Sequence, residues 1–132
     1  MTIEDRRSAP RFAASLKGTI TTVDDHVSAI EVSNISSSGL QLTVAQAELP
    51  CIIPNHSQTN SLTPVKIELL FNLPESKKKI KISCGIVYIK KASIDLCKIG
   101  CRFEQFHQQS DQYLEEFIAT ASPIYRAGLI DG

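Results

Sequence analysis

The stretch "KIKISCGIVYIKK", residues 79–91, alternates apolar and polar side chains along most of its length. A period of two is typical of a β-strand with one buried face and one exposed face. We therefore expect its lysines to point outward. The expected inward face consists of Ile80, Ile82, Cys84, Ile86 and Tyr88. Gly85, in the middle of the run, indicates a β-bulge or a close approach of another backbone.

The same alternation recurs on both sides of this stretch. The other five strand candidates are "LKGTITTV" (16–23), "VSAIEVSNI" (27–35), "LQLTV" (40–44), "VKIELLFNLP" (65–74) and "LCKIGCRFEQF" (96–106). Six antiparallel strands that each have one apolar face are expected to close into a barrel, because closure removes exposed edges.

The hydrophobic period then changes from two to that of a helix. "SDQYLEEFIATAS", residues 110–122, places its apolar side chains on one stripe, opposite Glu115 and Glu116. Ser110 is a suitable N-cap, and Pro123 ends the helix. The sequence thus predicts a protein dominated by β-structure, a six-stranded antiparallel β-barrel with one C-terminal amphipathic α-helix.

The chain divides into three predicted regions. Residues 1–14 form an arginine-bearing arm in which Pro10 disfavours a helix. Residues 15–106 form the barrel, including a long loop or insertion at 45–63. Residues 107–132 form the helix and a tail. A chain of 132 residues fits one domain.

Composition and charge exclude several classes of function. Fourteen basic and fourteen acidic residues give a formal net charge of zero, which argues against a general binder of nucleic acid or of membrane surfaces. Any anion site must therefore be local. The sequence contains no run long enough to insert into a membrane and no secretory signal, so the cytoplasm is the expected compartment.

Residues that could support catalysis or bind a metal or cofactor are scattered. The four cysteines, Cys51, Cys84, Cys97 and Cys101, show no C-x-x-C spacing, and three of them fall in strand-like runs where Cys behaves as a small hydrophobe. The carboxylate pairs have no histidine in a suitable arrangement, and no glycine-rich phosphate loop is present. We expect no enzyme, no metal site and no cofactor.

Three of the five arginines lie within the six residues "RRSAPR", at positions Arg6, Arg7 and Arg11. One interpretation is a solvated terminus. The other is a binding arm, because a guanidinium fork can bind the O6 and N7 edge of guanine, stack on its face and pair with phosphate.

A second candidate constellation is "NISSSG", residues 34–39, between the second and third strands. Asn34 offers both a donor and an acceptor, Ser36 offers a hydroxyl, and Gly39 suits a turn position with positive φ. Since such residues also form ordinary hairpin turns, this motif has a purely structural interpretation as well.

Taken together, "RSAPR" (7–11), "NISSSG" (34–39) and "KIGCRFEQF" (98–106) resemble, in this order, the PilZ domain family over roughly residues 5–107. The resemblance implies a bacterial receptor for cyclic di-GMP that regulates motility or biofilm formation. It implies that Arg7 and Arg11 bind guanine edges and phosphates, and that Asn34 and Ser36 contact a guanine while Gly39 holds the turn.

The resemblance also raises three finer points. Arg6, just before the first motif, implies binding of an intercalated pair of nucleotides rather than one. The family more often has Asp at the position of Asn34, so a weaker bond to guanine is expected here. Tyr88 lies where the family often has an aromatic residue near the ligand, and it is equally well explained as an aromatic residue of the core or rim.

The resemblance implies a switch. The nucleotide would join the arm to the barrel, and the changed surface would act on an unidentified downstream protein in trans, because the chain leaves no room for an output domain. One alternative is a ligand-independent adaptor with the same barrel. Another is a small nucleic-acid-binding barrel, although the expected mixture of basic and aromatic residues on one sheet face is missing.

Overall fold

Six antiparallel strands form a closed barrel in the computed structural model, which describes residues 11–53, 65–74 and 78–120. The strands are β1 (Phe12–Thr22), β2 (Val27–Ile35), β3 (Gly39–Ala45), β4 (Lys66–Asn72), β5 (Lys79–Lys91) and β6 (Leu96–His107). A 3₁₀ turn (Gln46–Glu48) and a short helix α1 (Leu49–Ile52) follow β3, and the helix α2 (Ser110–Thr120) follows β6. The predicted barrel with a C-terminal helix is confirmed.

The strand order around the barrel is β1-β2-β3-β6-β5-β4, and β4 pairs back onto β1. Because every pairing is antiparallel, the β1–β2 and β5–β6 turns lie at one end of the barrel. The β2–β3 turn lies at the other end, together with the start of β5 and the end of β6. This arrangement brings the turn formed by "NISSSG" to the end of the barrel where α2 begins.

The inward faces of all six strands build one core. Its fully buried side chains include Ile20, Val32, Leu42, Leu69, Ile82 and Ile99. Burial raises the pKa of the Cys101 thiol to about 12 and raises the pKa of Cys84 as well, as desolvation disfavours a thiolate. Cys97 is also buried, whereas Cys51 is exposed. The prediction that the three strand cysteines act as small hydrophobes is therefore confirmed.

Two irregularities of the β5–β6 ladder flank Gly85, where the sequence predicted a bulge. One lies between Ser83 and Cys84, and the other lies between Ile86 and Tyr88. The extra residue of the first is Glu104 on β6, and that of the second is Val87 on β5, which reverses the face on which the following side chains of β5 lie. Tyr88 is consequently 39% exposed, and the expectation that it shares the inward face of β5 is wrong.

Strand β1 begins at Phe12, three residues before the predicted start of the barrel at residue 15. Phe12 pairs with Ile35 and Ala13 pairs with Asn34, so the ladder extends into the region assigned to the arm. Phe12 is buried, and that burial explains the earlier start. Residues 1–10 of the predicted arm lie outside the described residues.

The first part of the predicted long loop at 45–63 is ordered into the 3₁₀ turn and α1. Leu49, Ile52 and Ile53 pack into the core. Ser28 donates a hydrogen bond to Glu48 (2.6 Å), and His26 lies 3.2 Å from the same carboxylate. These hydrogen bonds, that from Ser28 foremost, lower the pKa of Glu48 and attach the segment to β2. Residues 54–64 lie outside the described residues.

Helix α2 packs on β5 and β6 with Leu114 buried against the core. The helix begins at Ser110, the residue that the sequence predicted as its N-cap. Its buried Oγ accepts a hydrogen bond from the backbone N–H of Lys81 (2.8 Å). The preceding Gln108 and Gln109 have positive φ angles of 55° and 66°. A side-chain hydrogen bond and a sharp backbone reversal thus fix the start of α2 to the barrel.

We expect Ile82→Ala to lower the free energy of unfolding by about 2–5 kcal/mol, because Ile82 is fully buried and truncation leaves a cavity. The matched control is Ile94→Ala, since Ile94 is 81% exposed in the β5–β6 turn and should change stability by less than about 0.5 kcal/mol. Chemical denaturation monitored by circular dichroism measures both. Equal effects of the two substitutions would contradict this description of the core.

Candidate functional site

The β2–β3 turn is organised around the hydroxyl of Ser36, which is fully buried. Ser36 Oγ accepts hydrogen bonds from the backbone N–H groups of Ser38 (3.3 Å) and Gly39 (3.2 Å). The backbone N–H of Ser36 donates to the carbonyl of Gly39 (2.8 Å). In this structure Ser36 stabilises the turn, and its predicted contact with a guanine stays a prediction.

Gly39 is required by close packing and not by its φ angle. None of the described glycines has a positive φ, so the expectation of a positive-φ position is wrong. A Cβ atom at residue 39 would instead collide with the carbonyl oxygen of Cys101 on β6. The glycine therefore allows the end of the motif to pair closely with β6.

Arg11 and Asn34 connect the two sequence motifs. Arg11 Nε donates a hydrogen bond to Asn34 Oδ1 (3.1 Å). The register of β1 and β2 produces this contact, because Phe12 pairs with Ile35. The last residue of "RSAPR" thus binds the first residue of "NISSSG", although 23 positions separate them. Arg6 and Arg7 lie outside the described residues, and their roles stay predictions.

The hydrogen-bonded row continues from Asn34 across the outside of the barrel. Asn34 Nδ2 donates to Gln41 Oε1 (3.2 Å), and Gln41 Nε2 donates to the hydroxyl of Tyr88 (2.8 Å). We call Arg11, Asn34, Gln41 and Tyr88 the polar row. Sequence reasoning missed Gln41. Its only sequence signal is a polar residue between Leu40 and Leu42, and its partners are defined by the strand register.

Tyr88 lies across Gly100, its partner on β6. A Cβ atom at residue 100 would collide with the Tyr88 ring, so a glycine there lets the ring lie flat against the strand. Lys90 Nζ is 5.7 Å from the centroid of the ring, within the range of a cation–π contact. Tyr88 therefore presents a partly exposed aromatic face at the end of the polar row.

Positive charge flanks this end of the polar row although the chain has no net charge. Lys90 and Lys98 are cross-strand partners next to the Tyr88–Gly100 pair. Arg102 pairs with Gly39 and Gly85, and its side chain is exposed, with one carboxylate oxygen of Glu104 at 4.0 Å. The sequence predicted that any anion site must be local, and cations are available for one here.

Two further observations concern the described residues. No group of three or more His, Cys, Asp and Glu side chains among them could hold a metal ion. Within the same part of the chain, no helix has the length and apolar character needed to cross a membrane.

Comparison with known proteins identifies the family. The profile of the PilZ domain matches residues 5–120, and the chain therefore belongs to the PilZ domain family. No curated protein matches the sequence.

Solved structures share this fold at low sequence identity. The c-di-GMP-bound PilZ domain of YcgR from Escherichia coli superposes with a TM-score of 0.62 and 13% identity, covering 87% of this chain and 90% of that domain. The MrkH–c-di-GMP complex from K. pneumonia superposes with a TM-score of 0.63 and 17% identity, covering 86% of this chain and 51% of that protein. The Bacillus subtilis inhibitor of motility MotI/DgrA superposes with a TM-score of 0.62 and 17% identity, covering 85% of this chain and 48% of that protein. The chain thus spans about half the length of the last two proteins.

We expect Gly39→Ala to lower the free energy of unfolding by about 1–3 kcal/mol, because the new methyl group would overlap the Cys101 carbonyl oxygen. Ser37→Ala is the matched control, since Ser37 is an exposed residue of the same turn and should cost less than about 0.5 kcal/mol. Thermal or denaturant unfolding compares the two. If Gly39→Ala left the free energy of unfolding unchanged, close packing of β3 against β6 would not be the reason for a glycine at this position.

Proposed function

We propose that this protein is a receptor for cyclic di-GMP, which binds between the arginine arm and the β2–β3 turn and thereby changes the affinity of the protein for a downstream partner. The observation that carries the proposal is the hydrogen bond from Arg11 Nε to Asn34 Oδ1. It joins the two motifs on the outside of the barrel, at the position where one ligand could contact both.

Arg11 keeps most of its binding capacity in this arrangement. A guanidinium has five N–H donors, and the contact with Asn34 uses the one on Nε. Arg11 is exposed, so its terminal nitrogens can bind the O6 and N7 edge of a guanine in two parallel hydrogen bonds. Asn34 Oδ1 has a second lone pair that can accept an N–H of the same base.

The rest of the site suits a ligand with two guanines and two phosphates. The exposed face of Tyr88 can stack on a purine. Lys90 and Lys98 beside it can pair with phosphate oxygens. Charge attraction by itself would not separate this ligand from other nucleotides, whereas the guanine contacts of the arm and turn could. Arg6 and Arg7 would add further contacts from the arm.

The connection to a partner would pass through the β2–β3 turn to α2. A cavity of about 260 Å³ separates them, lined by Ser37, Phe106, Asp111, Leu114, Glu115 and Ile118. The turn that would hold the nucleotide therefore forms one wall of the cavity, and α2 forms another. Movement of the turn would change how α2 packs and what surface it presents.

We expect isothermal titration calorimetry to show binding of cyclic di-GMP by the wild type and much weaker binding of GMP. Arg7→Ala, Arg11→Ala and Asn34→Ala should each weaken binding about 10-fold or more, because each removes contacts to guanine worth about 1–3 kcal/mol. Lys79→Ala is the control. Lys79 pairs with Asn72 across the barrel from β2 and β3, and its loss should change the affinity less than about twofold.

Wild-type protein that fails to bind at micromolar ligand would overturn the receptor proposal. That result would favour the alternative of a ligand-independent adaptor with the same fold. Unchanged affinity in Arg11→Ala and Arg7→Ala, with normal wild-type binding, would instead show that the ligand binds elsewhere on the barrel.

We expect hydrogen–deuterium exchange to change in α2 when cyclic di-GMP is added. The reason is that Ser37 and α2 share one cavity, so ordering of the turn alters the packing of the helix. The β1–β2 turn at the opposite end of the barrel is the internal control and should not change. Protection confined to the β2–β3 turn would argue against transmission through α2.

A further inference from the structure

The hydrogen bonds of the polar row all run in one direction. Arginine can only donate, so the atom of Asn34 that faces Arg11 must be the oxygen. The Asn34 amide nitrogen then faces Gln41, which must present its own oxygen. The Gln41 amide nitrogen therefore faces Tyr88, whose hydroxyl accepts. The guanidinium at one end of the row thus determines the role of the hydroxyl at the other end.

We propose that Gln41 is a positioning residue that transmits the donor direction from Arg11 to Tyr88, so that Tyr88 donates its hydroxyl proton to a phosphate oxygen of the bound ligand. This inference rests on the proposed function and adds a specific role for Gln41 and Tyr88 to it. Gln41 itself is 8% exposed and would act through its two neighbours.

The amide of Asn34 opposes reversal of the Gln41 amide, because its Nδ2 donates to Gln41 Oε1 (3.2 Å). Ser33 Oγ has one proton for two nearby acceptors, the Gln41 backbone carbonyl (3.1 Å) and Gln41 Oε1 (3.4 Å), so Ser33 fits either orientation of the amide. A reversed amide would place its NH₂ group against the NH₂ group of Asn34, two donors with no acceptor between them. Such a pair is unfavourable for a nearly buried group.

The consequence concerns the single proton of the Tyr88 hydroxyl. Because Gln41 donates to Tyr88, that proton is not used within the row, and none of the described residues accepts it. Lys90 Nζ lies 5.7 Å from the ring centroid, so positive charge accompanies the free proton. An anionic oxygen is the acceptor that this combination favours, since hydrogen bonds to charged acceptors are the stronger ones.

Asn34 is essential to this arrangement. Aspartate at position 34 would offer acceptors to both neighbours, and Gln41 would have to turn its NH₂ group toward it. The Gln41 oxygen would then face Tyr88, and the Tyr88 proton would be consumed in a bond to Gln41. Asn34→Asp should therefore reverse the direction of two hydrogen bonds, the one between residue 34 and Gln41 and the one between Gln41 and Tyr88. Every group of the polar row would still have a partner.

The test is a double-mutant cycle on cyclic di-GMP binding, measured by calorimetry for the wild type, Asn34→Asp, Tyr88→Phe and the double variant. Tyr88→Phe keeps the ring and removes the hydroxyl. We expect it to weaken binding about 10-fold in the wild-type background and less than about twofold in the Asn34→Asp background. Lys79→Ala again serves as the control for variants outside the site.

Equal losses from Tyr88→Phe in both backgrounds, or no loss in the wild type, would overturn the inference and leave the receptor proposal intact. Absence of wild-type binding would overturn the receptor proposal itself.

A second double-mutant cycle, measured without ligand, tests the hydrogen bond between Gln41 and Tyr88 directly. Tyr88→Phe should change the unfolding midpoint in the wild type but not in a Gln41→Leu background, and additive effects would show that the two side chains do not interact.

Discussion

The closed antiparallel ladder is the constraint on which the other features of this protein depend. Once β4 pairs back onto β1, every strand has a fixed register with both neighbours. Side chains then alternate between a sealed interior and the outer surface. The interior holds the apolar residues, and any polar residue at an outward position acquires defined cross-strand neighbours. The polar row is a product of this geometry, because its side chains come from three strands, β2, β3 and β5, and from the residue that precedes β1.

The same constraint explains how a chain with no net charge can offer a site for an anionic ligand. The cations are few, but the ladder brings Lys90, Lys98 and Arg102 close to the Tyr88–Gly100 pair. Arg11 reaches the site from the position just before β1. In the proposed receptor, local concentration of charge and hydrogen bonds of fixed direction would supply selectivity that a general excess of basic residues would not.

Several features of the site were predictable from the sequence, and others were not. The order of the two motifs indicated that Arg11 and Asn34 belong to one site, and the register brought them within 3.1 Å. The exposure of Tyr88 could not be foreseen, because it depends on one extra residue of β5, Val87, in the pairing of β5 with β6. The role of Gln41 was equally hidden. The hydrogen-bond partners of a polar residue in a strand depend on which residues lie beside it on the neighbouring strands.

The sequence by itself determined the elements of this protein, since hydrophobic periods of two and of 3.6 residues are local properties of the chain. It therefore predicted six strands, a barrel, a C-terminal helix and the turn at "NISSSG". Tertiary structure alone decided why Gly39 must be a glycine, which way Tyr88 points and in which direction the polar row donates its hydrogen bonds. Each of these depends on contacts between residues far apart in the sequence, such as Gly39 with Cys101 and Gln41 with Tyr88. Such contacts exist only after the barrel has closed.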